Sequence, residues 1–193
     1  VTADAISLFT NIKHTEGIDC LRDQLNERTN QKVKTEFLIK LMEIILFNNV
    51  FEFHETFWKQ LVGAAMGSKP IPPYANIFMA KIDKLIRSLD ITKAIALFKR
   101  FLDDLFLLYA GSTKSLHALF EKINQIHPTI KFTMNHTTLE HEDIDEKCDC
   151  EPLQSIPFLD TLCTIKNGRI ETDLFKKETD RNQYLLPTSC HPA

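Results

Sequence analysis

The sequence predicts an α+β domain with a mostly antiparallel sheet backed by helices. Apolar residues recur at helical spacing in four segments, and short runs rich in β-branched and aromatic residues lie between them. Two-residue turns join several of these runs, most clearly at Asn167–Gly168 in the hairpin predicted over 156–177. The resulting order is strand, helices, hairpin, helix, hairpin, helix, strand, hairpin, which is typical of α+β domains.

The N-terminal half is predicted to hold one strand, three helices and a hairpin. Residues 1–12 form a β-rich run. Helical spacing follows over about 14–29 and again over 34–47. Aromatic residues flanking a polar "HET" predict a hairpin over 50–60. A loop rich in Gly and Pro then leads into a helix with two prolines in its first turn and an apolar face formed by Phe78, Ile82, Leu85, Ile86 and Leu89.

The second half begins with a run that is apolar except at its centre. Residues 97–109 contain two strand-like halves, "LFKRF" and "LFLLY", joined through Asp103 and Asp104. A helix is predicted to start after Ser112, and "TIKFTMN", residues 129–135, is predicted to be a strand.

Charge is unevenly distributed along the chain. Its 26 acidic and 23 basic residues give a net charge of −3, and the segment 140–151, a predicted loop, holds seven of the acids and one lysine. Outside that segment 19 acids face 22 bases, so the remainder is mildly basic. This balance permits contacts with nucleic-acid phosphates but does not require them.

Several other classes of protein are disfavoured. No apolar run approaches the roughly 18 residues of a membrane span, and the N-terminus lacks a signal-peptide pattern, so we expect a soluble, intracellular protein. The five cysteines are scattered and odd in number, which favours reduced thiols. A zinc site at Cys148, Cys150, His141 and Cys163 is an alternative, but a single CxC lacks the paired spacing of a zinc ribbon. No histidine has a nucleophile at a spacing that indicates a hydrolase triad.

Three carboxylates occupy unusual positions. Asp4, Asp103 and Asp104 lie within strongly apolar, strand-like runs, where bare carboxylates are costly to desolvate and repel each other. If the strand of Asp4 lies beside the hairpin of Asp103, the three cluster, and oxygen ligands of this kind suit Mg²⁺. The alternative is that Asp103 and Asp104 only cap a tight turn.

Ordered motifs along the chain resemble those of reverse transcriptases. "FLDD" resembles their [Phe/Tyr]-x-Asp-Asp box, "DAISLFTNI" their first palm motif and "GAAMGSKPIPPYANIFM" their second. The runs "LFNNVFEF", "RFLDDLF", "IHPTIKFT", "IPFLDT", "NGRIETDLFKKETDRNQYL" and "SCHP" are similar to those of Penelope-like retroelements, in the same order over essentially the whole chain. The resemblance implies the palm of a right-hand polymerase that lacks most of its fingers and thumb.

The resemblance also implies an activity and its catalytic residues. Asp4, Asp103 and Asp104 match the metal-binding triad, with Asp4 and Asp103 as the more direct ligands of two Mg²⁺ ions, for which Mn²⁺ could substitute. The implied reaction is RNA-templated DNA synthesis from a DNA primer and deoxynucleoside triphosphates, in the nucleus. The implied nucleotide-binding residues are Ala5, Phe9, Met66, Gly67 and Asn76.

Two of these assignments have plain structural alternatives. Phe9 matches the bulky side chain that blocks a ribose 2′-OH, but it could be an ordinary core residue. Asn76 matches a residue that holds the Met66–Gly67 loop, but it could be a helix-surface residue. The hairpin beginning at Phe158 and Leu159 matches the element that steadies the primer end. Lys176 and Lys177 would lie near the nucleic-acid backbone, unless they are only solvated.

The chain departs from the family pattern in two places. Lys69 and Glu178 stand where the family has proline. The first catalytic strand lies at the N-terminus, so we expect a palm-centred fragment without fingers, with a catalytic palm over 1–135, an acidic loop over 136–155 and a C-terminal hairpin with the start of a thumb connection over 156–193. We expect this fragment alone to be inactive. The alternative is a decayed, non-catalytic retroelement remnant with at most weak nucleic-acid binding.

Overall fold

A computed structural model describes residues 1–30, 32–137 and 155–180. The predicted acidic segment, Cys148, Cys150 and Cys190 lie outside these ranges. In chain order the elements are β1 (Thr2–Asp4), α1 (Leu8–Asn11), α2 (His14–Asn26), α3 (Thr35–Phe47), β2 (Val50–Phe53), β3 (Thr56–Lys59), α4 (Ile71–Leu89), β4 (Ile95–Phe101), β5 (Asp104–Tyr109), α5 (Thr113–Ile123), β6 (Ser155–Phe158), β7 (Thr161–Lys166) and β8 (Arg169–Leu174).

The central sheet has the strand order β1-β5-β4, and both pairings are antiparallel. Alternate residues of β5 point to opposite faces, as a strand requires. Leu105 and Leu107 are fully buried in the core shared with the helices, whereas Asp104 and Phe106 belong to the other face. The Phe106 ring lies 5.2 Å from that of Phe158, so β6 packs against this second face.

Two further antiparallel sheets complete the β-structure. The hairpin β2–β3 turns at His54–Glu55, and both of these residues have positive φ. Strands β6, β7 and β8 form a three-stranded meander whose second turn is Asn167–Gly168, also with positive φ at both positions, as the sequence predicts.

The helices cover one face of the central sheet. Helix α4 begins with prolines in its first turn, where a missing N–H costs nothing, and packs against α2 and α5. Its apolar stripe is wholly buried at Phe78, Ile82 and Ile86. Ser112 caps α5 by accepting a hydrogen bond from the amide of Ser115.

The sequence-based predictions fail in four places. Residues 8–11 form α1 instead of continuing a strand, and Leu85 is 41 % exposed instead of lying on the buried face of α4. Residues 129–135 form only single bridges to the N-terminal segment, at Thr2–Asn135 and Ala5–Phe132. The segment predicted as one hairpin over 156–177 contains three strands, because a turn at 159–160 divides its first half into β6 and β7.

Two simpler expectations can be compared with the described residues. No described helix is long and apolar enough to cross a membrane. Cys20, which is buried, and Cys163, which is half-buried, are both free thiols.

Gly17 on α2 lies directly against Tyr74 on α4. Tyr74 is 2 % exposed, and a Cβ placed on Gly17 would overlap both its hydroxyl and its ring. The Tyr74 hydroxyl is buried and has no hydrogen-bond partner among the described residues. Glycine therefore allows α2 to approach α4 closely enough to cover this aromatic ring.

We predict that Gly17→Ala lowers the free energy of unfolding by about 1–3 kcal/mol, since the added methyl group overpacks the core. The same change at an unconstrained helix position would stabilise by about 0.5–1 kcal/mol. Tyr74→Phe should be neutral or stabilising, because it removes an unpaired buried hydroxyl. Urea denaturation measures the free energy of unfolding of each variant. An increase for Gly17→Ala would show that the contact between Gly17 and Tyr74 is not tight.

Candidate active site

Pairing of β1 with β5 brings distant carboxylates together. Asp4 and Asp104 are direct cross-strand partners, although a hundred residues separate them in the chain. In an antiparallel pair, directly opposite residues lie about 4.5–5.5 Å apart at Cα and share a face of the sheet. The amide of Ala5 donates to the carbonyl of Asp103 at 3.0 Å, which attaches the end of β1 to the turn between β4 and β5.

Asp103 lies in a two-residue turn. Phe101 and Asp104 are paired, so Leu102 and Asp103 alone connect β4 to β5. Leu102 has φ +54°, in the left-handed region that a leucine rarely adopts. The turn thus places Asp103 at the end of the two strands, close enough to Asp4 and Asp104 to act on the pKa of both.

The three carboxylates act on one another electrostatically. Partial burial raises the pKa of Asp4, and the charges of Asp103 and Asp104 raise it further. Burial also raises the pKa of Asp104, again with a contribution from Asp103, while Lys177 acts in the opposite direction. Negative charge is therefore concentrated at this end of the sheet, and a cation placed there would be stabilised.

The carboxylate oxygens have the chemistry of a Mg²⁺ site. Among the described residues, no three His, Cys, Asp or Glu side chains are grouped as ligands of one ion. Mg²⁺ in enzymes is commonly held by one or two carboxylates together with water and substrate phosphates, so a pair such as Asp4 and Asp103 is sufficient. In this respect the residues present fit the ion.

The loop before α4 contacts α1 and the start of α2 through Gly63 and Ala64. The Ala64 amide donates to the Phe9 carbonyl at 2.7 Å, and His14 Nε2 lies 2.6 Å from the Gly63 carbonyl oxygen. Gly63 has φ +79°, and a Cβ there would lie 2.6 Å from the Thr10 Cα. Glycine is required at this position by both its conformation and its close approach to α1.

The residues implied to contact a nucleotide differ in their surroundings. Phe9 is half-buried and packs against the core, which is compatible with either assignment given to it. Ala5 is 2 % exposed, so its side chain is covered in the structure. Met66 is 76 % exposed, and Gly67 has φ +94° with open space where a Cβ would lie. Asn76 is exposed on α4, but its side-chain oxygen accepts a hydrogen bond from Arg100 Nη1 at 2.8 Å.

The residues implied to contact the primer lie on the meander and just after it. Phe158 is half-buried against Phe106, whereas Leu159 is 40 % exposed in a turn with φ +55°. Lys176 and Lys177 are exposed. Lys177 is close enough to act on the pKa of Asp104, so the chain after β8 returns to the carboxylate cluster.

Sequence reasoning missed Arg100, His14 and Gly63. Arg100 is a charged residue in a mostly apolar strand, three positions before Asp103, and that position was the available indication of a role. The contacts of His14 and Gly63 join segments 49 residues apart, which no local pattern could indicate.

We predict that Asp103→Asn lowers the pKa of both Asp4 and Asp104, because it removes a neighbouring negative charge. A carboxyl whose pKa is raised in the folded state stabilises the protein below its unfolded pKa, and this stability is lost as pH rises through the folded value. The variant should therefore be more stable than the parent at pH 7, with the difference shrinking towards pH 3. Carboxyl NMR titration and urea denaturation measure the two effects.

Asp160→Asn is the control for this prediction, since Asp160 lies in the corresponding turn between β6 and β7 and does not act on either carboxyl. A fall in the two pKa values with Asp160→Asn but not with Asp103→Asn would contradict the assignment of the cluster.

Comparisons with known proteins identify the fold. No protein-family model and no curated protein matches the chain. Among solved structures, it resembles apo telomerase from Candida tropicalis truncated from its C-terminal domain, with a TM-score of 0.58 and 12 % identity over 89 % of this chain and 35 % of the other. It also resembles telomerase from Candida albicans in complex with a fragment of telomeric RNA, with a TM-score of 0.62 and 11 % identity over 89 % of this chain and 30 % of the other. The chain thus spans about a third of the telomerase chains it matches, and its α+β architecture is a palm-like fold of the reverse-transcriptase type.

Proposed function

We propose that this chain is the catalytic palm of an RNA-directed DNA polymerase from a Penelope-like retroelement. The observation that carries the proposal is the clustering of Asp4, Asp103 and Asp104 at one end of the central sheet of a telomerase-like fold. Neither tight-turn capping nor core packing accounts for Asp4, which lies on a different strand and faces Asp104 directly.

The proposed reaction extends a primer by one deoxynucleotide. The primer 3′-oxygen attacks the α-phosphorus of the triphosphate, the bond from that phosphorus to the bridging oxygen of the β-phosphate breaks, and pyrophosphate leaves while the hydroxyl proton passes to solvent. Two Mg²⁺ ions, when bound, would activate the hydroxyl and neutralise the developing charge on the pyrophosphate. Asp4 and Asp103 would hold these ions, and Asp104, which is influenced by Lys177, would act less directly.

Other residues would position the substrates. Phe9, on α1, would limit the space at the ribose 2′ position, and the hydrogen bond from Ala64 to the Phe9 carbonyl holds this helix against the loop that leads to Met66 and Gly67. Leu159 and Lys176 would face the primer strand. Template RNA and primer DNA are the proposed partners, consistent with a fold shared with an RNA-bound telomerase.

We predict that Asp103→Asn, in the full-length protein that carries this chain, reduces primer extension on an RNA template by at least about 100-fold. This magnitude is of the order found when one group that stabilises transition-state charge is removed. Single-turnover primer extension at saturating deoxynucleotide measures it.

Asp160→Asn is the matched control, since it removes a carboxylate from the other Leu–Asp turn. It should leave extension within about twofold of the parent. Unchanged extension by Asp103→Asn would reject the metal role, and a full-length protein that binds nucleic acid but extends no primer would favour the decayed, non-catalytic remnant.

A further inference from the structure

Arg100 lies at the end of β4 and is buried against α4. Its side chain is 9 % exposed, and that of Asp83 on α4 is 20 % exposed. Arg100 Nε donates to both Asp83 carboxylate oxygens at 2.9 and 3.0 Å, and Nη2 lies 2.9 Å from Asp83 Oδ2. This forked geometry is one that a planar guanidinium can make and a lysine cannot.

The remaining nitrogen of this guanidinium contacts the turn that carries Asp103. Arg100 Nη1 donates to the Leu102 carbonyl at 2.9 Å and to Asn76 Oδ1 at 2.8 Å. Leu102 is the left-handed residue of the turn, immediately before Asp103. Arg100, whose side chain is largely buried, therefore contacts the backbone of the turn directly before Asp103.

The turn between β6 and β7 shows what the arginine adds. There Leu159 and Asp160 follow a phenylalanine, as Leu102 and Asp103 do, and Leu159 has nearly the same φ, +55°. Within the described part of the chain, no side chain donates a hydrogen bond to the Leu159 carbonyl. Among the described residues, this second turn forms without a side-chain donor to its leucine carbonyl, so the contact from Arg100 is an addition to the β4–β5 turn and not the cause of its conformation.

We infer that Arg100 is a positioning residue for Asp103. Asp83 neutralises the charge of Arg100 and fixes the plane of its guanidinium. The guanidinium in turn holds the Leu102 carbonyl, and thereby the position of Asp103, the next residue. Through Asn76 it also ties this turn to the N-terminal part of α4, directly after the Met66–Gly67 loop. The metal-binding consequence rests on the proposed function, whereas the placement of the turn does not.

The test compares the chain with three variants. Arg100→Gln removes the fork, and Arg100→Met with Asp83→Leu removes both charges, so that no unpaired buried charge remains to prevent folding. Arg87→Gln is the control. Arg87 also joins α4 to β4, by donating to the Phe98 carbonyl at 3.4 Å and lying over the Phe98 ring at 4.7 Å, but it does not touch the turn.

Two readouts separate positioning from general stability. The first is hydrogen exchange of the Ala5 amide, whose acceptor is the Asp103 carbonyl. Both Arg100 variants should lose protection severalfold at this amide relative to amides in α5, and Arg87→Gln should not. The second is Mn²⁺ affinity measured by electron paramagnetic resonance, which both Arg100 variants should weaken by about tenfold, as changes to residues that orient metal ligands do.

The outcomes distinguish this inference from the proposed function. Unchanged Ala5 protection in both Arg100 variants, or an equal loss in Arg87→Gln, would overturn the positioning role. If Ala5 protection falls as expected but Asp103→Asn binds Mn²⁺ as well as the parent chain, then Arg100 places the turn and the proposed metal site is wrong.

Discussion

The candidate site depends on holding three mutually repelling carboxylates, Asp4, Asp103 and Asp104, at one end of the central sheet. Antiparallel pairing of β1 with β5 makes Asp4 and Asp104 direct neighbours, and the turn adds Asp103 beside them. Partial burial, together with the neighbouring charges, raises the pKa of Asp4 and of Asp104, which costs stability at neutral pH. A sequence that needed only a turn could place one aspartate there, as β6–β7 does at Asp160. The fold therefore maintains a concentration of negative charge, on which Lys177 acts in part and which a bound cation would stabilise further.

Apolar packing on the opposite face offsets that cost. Leu105 and Leu107 of β5 are fully buried against the helices, and they fix the strand that carries Asp104. Gly17 allows α2 to approach α4, and Asp83 on α4 holds Arg100. The core thus sets the position of β5 and, through Arg100, that of the turn. Disturbance of helix packing would reach the carboxylates through this connection.

Much of the fold is predictable from sequence because its patterns are local. The strand character of the apolar run in β5, the amphipathic face of α4 and the Asn167–Gly168 turn all follow from residue composition, periodicity and turn chemistry. The helix at residues 8–11 was missed, because its backbone is anchored by a contact with Ala64, far along the chain. Leu102 was not predicted to be left-handed, since leucine has no intrinsic preference for positive φ.

The site was only partly predictable, for the same reason. The three aspartates could be identified because they lie in apolar, strand-like runs of the sequence, where an uncompensated carboxylate is costly to desolvate. The contacts that place them, from Arg100 and from the Ala5 amide, depend on tertiary structure.

The central claim is that Asp4 and Asp103 share a divalent ion, and anomalous diffraction from crystals soaked in Mn²⁺ tests it most directly. The account predicts an anomalous peak bridged by the carboxylates of Asp4 and Asp103. Mn²⁺ bound elsewhere, with none between these two side chains, would contradict it.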